Sequence, residues 1–241
     1  MDTGRFIIFI TGGINMKTLL QLNTPPAGPF TAQLWNENEA LIERIFNHPF
    51  CRGLSNGSLP VESFKHYLQQ DALYIEQDAR AFAITAGKSK TRESFSFFLH
   101  MAKDGLEIER ALHQNLMPAF KIEPAKKMSK ACCNYTSFLL NTALNESSAI
   151  SAAALLPCFW VYRETGLNIR QSSIINNPYQ PWLDTYADDV YGEYVSKFIN
   201  ILECEMAGTN KTERQEMLRV FGHSIAYELD FFDEALAQSN Y

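Results

Sequence analysis

A chain of 241 residues, 46% hydrophobic and 20% charged, has the make-up of one large soluble globular domain. Its formal net charge is −6, and the only basic cluster is the short KIEPAKK at 121–127, which argues against nucleic acid as a partner because phosphate binding needs grouped Lys and Arg. The five cysteines (Cys51, Cys132, Cys133, Cys158, Cys204) are odd in number and lack C-x-x-C spacing, so they read as neither a disulfide framework nor a zinc ribbon; reduced thiols in a cytoplasmic protein fit them.

The first thirteen residues carry one arginine and an apolar run at 6–10, too short for a signal sequence or a membrane span. Residues 1–28 are expected to be a disordered or mis-annotated extension, with 1–15 lying ahead of a more conventional opening at Met16 or frayed, and the domain formed by 29–241. From Thr31 the period is helical. Leu34, Leu41, Ile42, Ile45 and Phe46 mark a first amphipathic helix, ended near His48-Pro49 because the residue before proline leaves the α region. The sequence CRGLSNGS at 51–58 reads as a loop by its Gly, Ser and Asn content. Ser58 and Pro60 open a long helix to about Gly87.

A third helix is expected over about 91–115 with Pro118 behind it, a fourth over about 128–144 and a fifth over about 147–174. Asn176-Asn177-Pro178 breaks the chain. A short and a longer helix follow between 179 and 206, ended by Gly208, and a T-x-x-Q capping box from Thr212 to Gln215 starts a last helix to about Gln238. No period-two pattern, hairpin dipeptide or repeat interrupts this series. The fold class is all-α, a single-domain helical bundle of seven to eight helices.

Polar residues interrupt the apolar faces at informative places. On the second helix Phe64, Tyr67, Asp71, Tyr74 and Asp78 recur at spacings of three and four, so Asp71 shares a buried stripe with three aromatics. On the last helix Glu228 sits in the stripe Met217, Phe221, Ser224, Phe231, Ala235. A buried carboxylate needs a partner or a function. In AALLPCFWVYRETG, Cys158 and Tyr162 lie one turn apart, and Pro157 removes a hydrogen bond to Ala153, so a kink is expected beside the thiol. A free cysteine in an apolar run is most often a small buried hydrophobe, and that reading stays open. Taken together, Asp71, Cys158, Tyr162 and Glu228 are placed to converge on one apolar, aromatic cavity suited to a small molecule. His100, Glu107, Glu109 and His113 share one helix but read as a solvated face, because the other helices supply no matching Glu-x-x-His ligands.

Four ordered blocks, LPVESFKHYLQQDALYIEQDARAFA, AALLPCFWVYRETG, NPYQPWLDTYADDVY and SIAYELDFFDEA, together with HPFCRGLSNGSLP, resemble the TenA family of thiaminase II or aminopyrimidine aminohydrolases over residues 34–237. The cysteine in LLPC resembles the cysteine-bearing branch. The resemblance implies a haem-oxygenase-like bundle that uses no haem, metal or other cofactor and assembles as a homotetramer. It implies 4-amino-2-methylpyrimidine substrates with a leaving group on the C5 methylene. Matching positions imply Cys158 as nucleophile, Glu228 as catalytic acid, and Asp71, Tyr74, Tyr135, Tyr162 and Tyr186 as substrate-binding residues. Arg163 and Phe232 depart from the family pattern, the first standing where another aromatic is common and the second where a tryptophan is; Arg163 is expected outward or paired near Glu164, and Phe232 as a volume change in the core. Two other classes are weighed against the hydrolase: a haem-oxygenase-like di-iron or redox protein, and a non-enzymatic regulator.

Overall fold

A computed structural model describes residues 22–238, apart from the side chains at 108, 109, 112 and 113. Among the described residues there are eleven helices and no strand: α1 (Pro29–Glu37), α2 (Glu39–Phe46), α3 (Pro49–Asn56), α4 (Val61–Lys88), α5 (Arg92–Ala119), α6 (Lys130–Asn145), α7 (Ser148–Leu155), α8 (Pro157–Gln171), α9 (Gln180–Tyr186), α10 (Asp189–Met206) and α11 (Lys211–Ala237). None of them is long and apolar enough to cross a membrane.

The all-α class holds, and the count rises above seven to eight because the structure divides two of the expected helices and forms a further one where a loop is expected. The expected first helix divides into α1 and α2 at Asn38, whose side-chain amide turns back to donate to the Leu34 carbonyl at 2.8 Å. Residues 51–58, expected as loop, lie mostly in α3. There His48 caps the helix by accepting from Phe50 N through Nδ1 at 3.2 Å, Pro49 fills the first turn, and Gly57 ends it at φ +70, a conformation glycine adopts without strain. The fifth helix divides into α7 and α8 at Leu156. The last helix starts one residue earlier than expected, and its capping box is Asn210 with Glu213, not Thr212 with Gln215.

Three long helices frame the interior. α4 packs against α5 and α6, and α11 against α6 and α7. All eight residues of α7, SAISAAAL, are buried, as expected for a helix apolar all round; its small side chains allow α4, α6 and α11 to approach closely. Helix ends are closed by charges from distant segments. Lys88 Nζ donates to the carbonyls of Ala143, Leu144 and Glu146 at the end of α6, and Glu203 accepts from Phe30 N and Thr31 N at the start of α1. Trp35 and Trp160, both buried, meet at 4.8 Å between ring centroids.

Of the segment expected as an extension, residues 1–21 lie outside the described residues. Farther along, Asn23 N and Thr24 N donate to the buried Glu164 at 3.2 and 2.8 Å, and Trp160 Nε1 donates to Thr24 O at 2.9 Å. Phe232 lies in the core, stacked on Phe50 at 4.9 Å.

Candidate active site

One cavity takes side chains from seven helices. α4 places Asp71, Tyr74 and Asp78 along a single face at spacings of three and four, the geometry a straight helix imposes. α6 contributes Tyr135, α8 contributes Cys158 and Tyr162, α9 Tyr186, and α11 Glu228 and Phe231. α5 and α10 close the other side with Met101, Asp104, Tyr191 and Tyr194. All seven residues expected at the site therefore line this one cavity.

Aromatic rings make its walls. Tyr74 and Tyr135 lie 5.0 Å apart, Tyr162 and Tyr186 5.2 Å apart, and Phe231 stands edge-on to Tyr74 at 6.2 Å. Flat, apolar walls with a few fixed polar groups suit a planar heteroaromatic ring.

Glu228 is 2% exposed and accepts a hydrogen bond from Tyr135 Oη at 2.8 Å. Burial pushes its carboxyl up from the ordinary 4.5 to about 8. Hydrogen bonds from Tyr135 and Tyr162 oppose the rise, Asp71 adds to it, and a contact with Cys158 opposes it again. At neutral pH Glu228 therefore holds its proton and is able to give it. Cys158 is half-buried and lines the cavity. Burial raises its thiol well above the ordinary value, Glu228 and Asp78 raise it further, and the nearby Tyr74 hydroxyl opposes the rise. The resting thiol is protonated, so forming the thiolate requires a proton acceptor.

The kink expected at Pro157 appears as an interruption: α7 ends at Leu155, Leu156 stays in the α region at φ −62, ψ −38, and Pro157 opens α8 as its first residue. Arg163 does not point outward. It is 7% exposed, and its Nη1 donates to Tyr186 O at 3.1 Å and Asp188 O at 2.6 Å. Gly192 is the close-approach position on the other side, where a Cβ would lie 2.8 Å from Arg163 Nη2.

Asp78, Tyr191, Tyr194 and Asp104 were not among the expected site residues. Asp78 belongs to the same stripe as Asp71, so the sequence carried its signal; the α10 tyrosines look like ordinary half-buried aromatics until the fold brings them round. Of the residues weighed for metal, His100 pairs with Asp104 at 2.8 Å and Glu107 lies 3.9 Å from Lys103, while the side chains of Glu109 and His113 lie outside the described residues. Among the described residues no group of three or more His, Cys, Asp or Glu is arranged to hold a metal ion.

The profile of the TENA/THI-4/PQQC family matches residues 35–238. An aminopyrimidine aminohydrolase of Halalkalibacterium halodurans is 30% identical over 212 residues, covering 86% of this chain and 95% of its own. A thiamine biosynthesis multifunctional protein of Corynebacterium efficiens is also 30% identical, over 88% of this chain; the chain spans only 29% of that protein's length. Among solved structures, a TenA family transcription regulator from a Silicibacter species superposes with a TM-score of 0.81 at 25% identity, covering 88% of this chain and 98% of that one. A Shewanella denitrificans domain with a heme oxygenase-like fold superposes at 0.70 with 14% identity, covering 86% and 92%, which establishes the fold.

Proposed function

This chain belongs to the TENA/THI-4/PQQC family, and we propose that it is an aminopyrimidine aminohydrolase of the thiaminase II kind. In this reading it exchanges the leaving group on the C5 methylene of a 4-amino-2-methylpyrimidine for hydroxyl. Aminomethyl pyrimidine plus water gives hydroxymethyl pyrimidine plus ammonia, and thiamine is a second candidate substrate. The observation that carries the reading is the convergence of a thiol, a protonated buried carboxyl and a second carboxylate on one aromatic-walled cavity.

Direct displacement at a methylene on an aromatic ring has nowhere to place charge. Addition of the Cys158 sulfur to the ring carbon beside the substituted position breaks aromaticity and opens a route. Glu228 gives its proton to a ring nitrogen and, now a carboxylate beside Cys158, takes the thiol proton as the C–S bond forms. Glu228 passes the proton it took from the thiol to the leaving amine, and the ring electrons expel it as ammonia. Water adds to the exocyclic methylene and gives its proton to the Glu228 carboxylate; the C–S bond then breaks, and the proton on the ring nitrogen returns to the sulfur. Asp71 accepts from the 4-amino group and fixes the ring's orientation. Tyr74, Tyr135, Tyr162 and Tyr186 give it faces and edges to rest on.

The relay answers why a thiol with a raised pKa is useful: it stays protonated until the substrate draws the Glu228 proton away. The same reading carries a homotetramer and a cytoplasmic location, the first of which light scattering on the purified chain tests. For the activity, purified protein is offered aminomethyl pyrimidine, its formylated derivative and thiamine, and hydroxymethyl pyrimidine is measured. Turnover of at least one supports the proposal; release of hydroxymethyl pyrimidine from none of the three sinks it.

A further inference from the structure

The helix break ahead of Cys158 changes the hydrogen bonding of the chain around it. Pro157 has no N–H to give to the Ala153 carbonyl, and Phe159 N bonds to Leu156 O at 3.0 Å, a three-residue step in place of four. A side chain from another helix enters here. The Ser224 hydroxyl on α11 donates to the Ala154 carbonyl at 2.5 Å. Ser224 is fully buried, so water does not compete for this bond.

Two features set the contact apart from ordinary packing. A serine inside a helix commonly satisfies its hydroxyl on its own helix, four residues back, which here would be the Val220 carbonyl; Ser224 leaves its helix instead. The register is also symmetrical. Ala154 lies four residues before Cys158, and Ser224 lies four residues before Glu228, so the bond stands about one helical turn from each reacting group.

We propose that Ser224 is a positioning residue that ties α11 to the α7–α8 break and thereby sets the spacing between the Cys158 sulfur and the Glu228 carboxyl. The physical need arises from Pro157. A junction that has lost an intrahelical hydrogen bond is softer than a continuous helix, and one fixed cross-helix bond restores the register of α8 against α11. This inference rests on the reading of the cavity as a cysteine-dependent pyrimidine site, and its test separates the two.

Ser224→Ala and Ser224→Thr are made in the full chain. Turnover of aminomethyl pyrimidine is measured together with the rate and pH dependence of Cys158 alkylation by iodoacetamide, followed on the Cys158 peptide by mass spectrometry. Ser224→Ala is expected to lower kcat about tenfold with KM within about twofold, and to change the alkylation rate of Cys158 at least about threefold. Ser224→Thr, which keeps the hydroxyl, restores both. In a Pro157→Ala background, where residue 157 again donates to Ala153, Ser224→Ala should change alkylation less than about twofold. An equal effect in both backgrounds, or a Ser224→Ala variant whose only change is a lower melting temperature, overturns the proposal. Alkylation needs no substrate. A wild type that turns over no pyrimidine while Ser224→Ala still alters alkylation defeats the activity and leaves the tie standing; wild-type turnover with unaltered alkylation in Ser224→Ala defeats the tie alone.

Discussion

The Tyr135 hydroxyl donates to Glu228 Oε1 at 2.8 Å, and with both residues buried this bond opposes the rise in the carboxyl's pKa that burial causes. Tyr135→Phe removes the donor, so the Glu228 pKa climbs beyond about 8. If protonated Glu228 is the active form, activity declines as pH rises through that pKa. The variant should therefore hold its activity to higher pH while its plateau kcat/KM drops roughly tenfold, the size of one lost buried hydrogen bond. The pH dependence of kcat/KM checks this, and an alkaline midpoint that does not move would refute the assignment of that limb to Glu228.

Glu228 also makes stability depend on pH, in an unusual direction for a carboxylate. Its ordinary value is 4.5 and its folded value about 8. Below 4.5 both folded and unfolded chains hold the proton, and the group has no effect. Between those values only the unfolded chain releases it, so stability falls as pH rises; above about 8 the full penalty is present. Glu228→Gln removes this slope. Relative to wild type the variant should gain on the order of a few kcal/mol on going from about pH 4 to about pH 9, as read by chemical denaturation. Parallel stability curves for the two proteins would contradict it.

Cys158→Ala is expected to keep the fold, because the residue lines the cavity and is only half-buried. Turnover of aminomethyl pyrimidine should fall about a thousandfold or more while the ligand still binds. Circular dichroism and a binding titration distinguish this from unfolding. Residual turnover near the wild-type rate would remove the covalent step from the mechanism.

The long helices were legible because a 3.6-residue apolar period over some 28 residues has no competing interpretation, and the stripes on α4 and α11 brought Asp71, Tyr74 and Glu228 into view through the same geometry. Shorter features were less so. Residues 51–58 look like a loop because glycine, serine and asparagine are dense there, yet His48, Pro49 and Gly57 supply a cap, a first turn and a stop that bracket eight helical residues. Two capping patterns overlapped at the start of α11, Asn210-x-x-Glu213 and Thr212-x-x-Gln215, and local sequence did not choose between them. Arg163 was misplaced for a deeper reason. Its hydrogen bonds go to backbone carbonyls at 186 and 188, which leave no mark in the residue type that bears them, and its one carboxylate contact, Asp189 at 3.6 Å from Nη2, is itself fully exposed and reads as a surface charge.

That buried arginine closes the tyrosine wall of the cavity. By donating to Tyr186 O and Asp188 O, Arg163 clamps the end of α9 to the start of α10, the two helices that supply Tyr186, Tyr191 and Tyr194. Lysine carries the charge without the planar fork, so Arg163→Lys should lower stability by about 1–3 kcal/mol and raise KM several-fold, with a smaller effect on kcat. Gly192→Ala reaches the same clamp from the opposite side, because its Cβ would sit 2.8 Å from Nη2 and displace the guanidinium. Since both changes act through one group, their combination should be clearly less than additive in KM. Steady-state kinetics on the two single variants and the double variant provide the measurement. Full additivity would mean that the two positions act separately and that no shared clamp holds the wall.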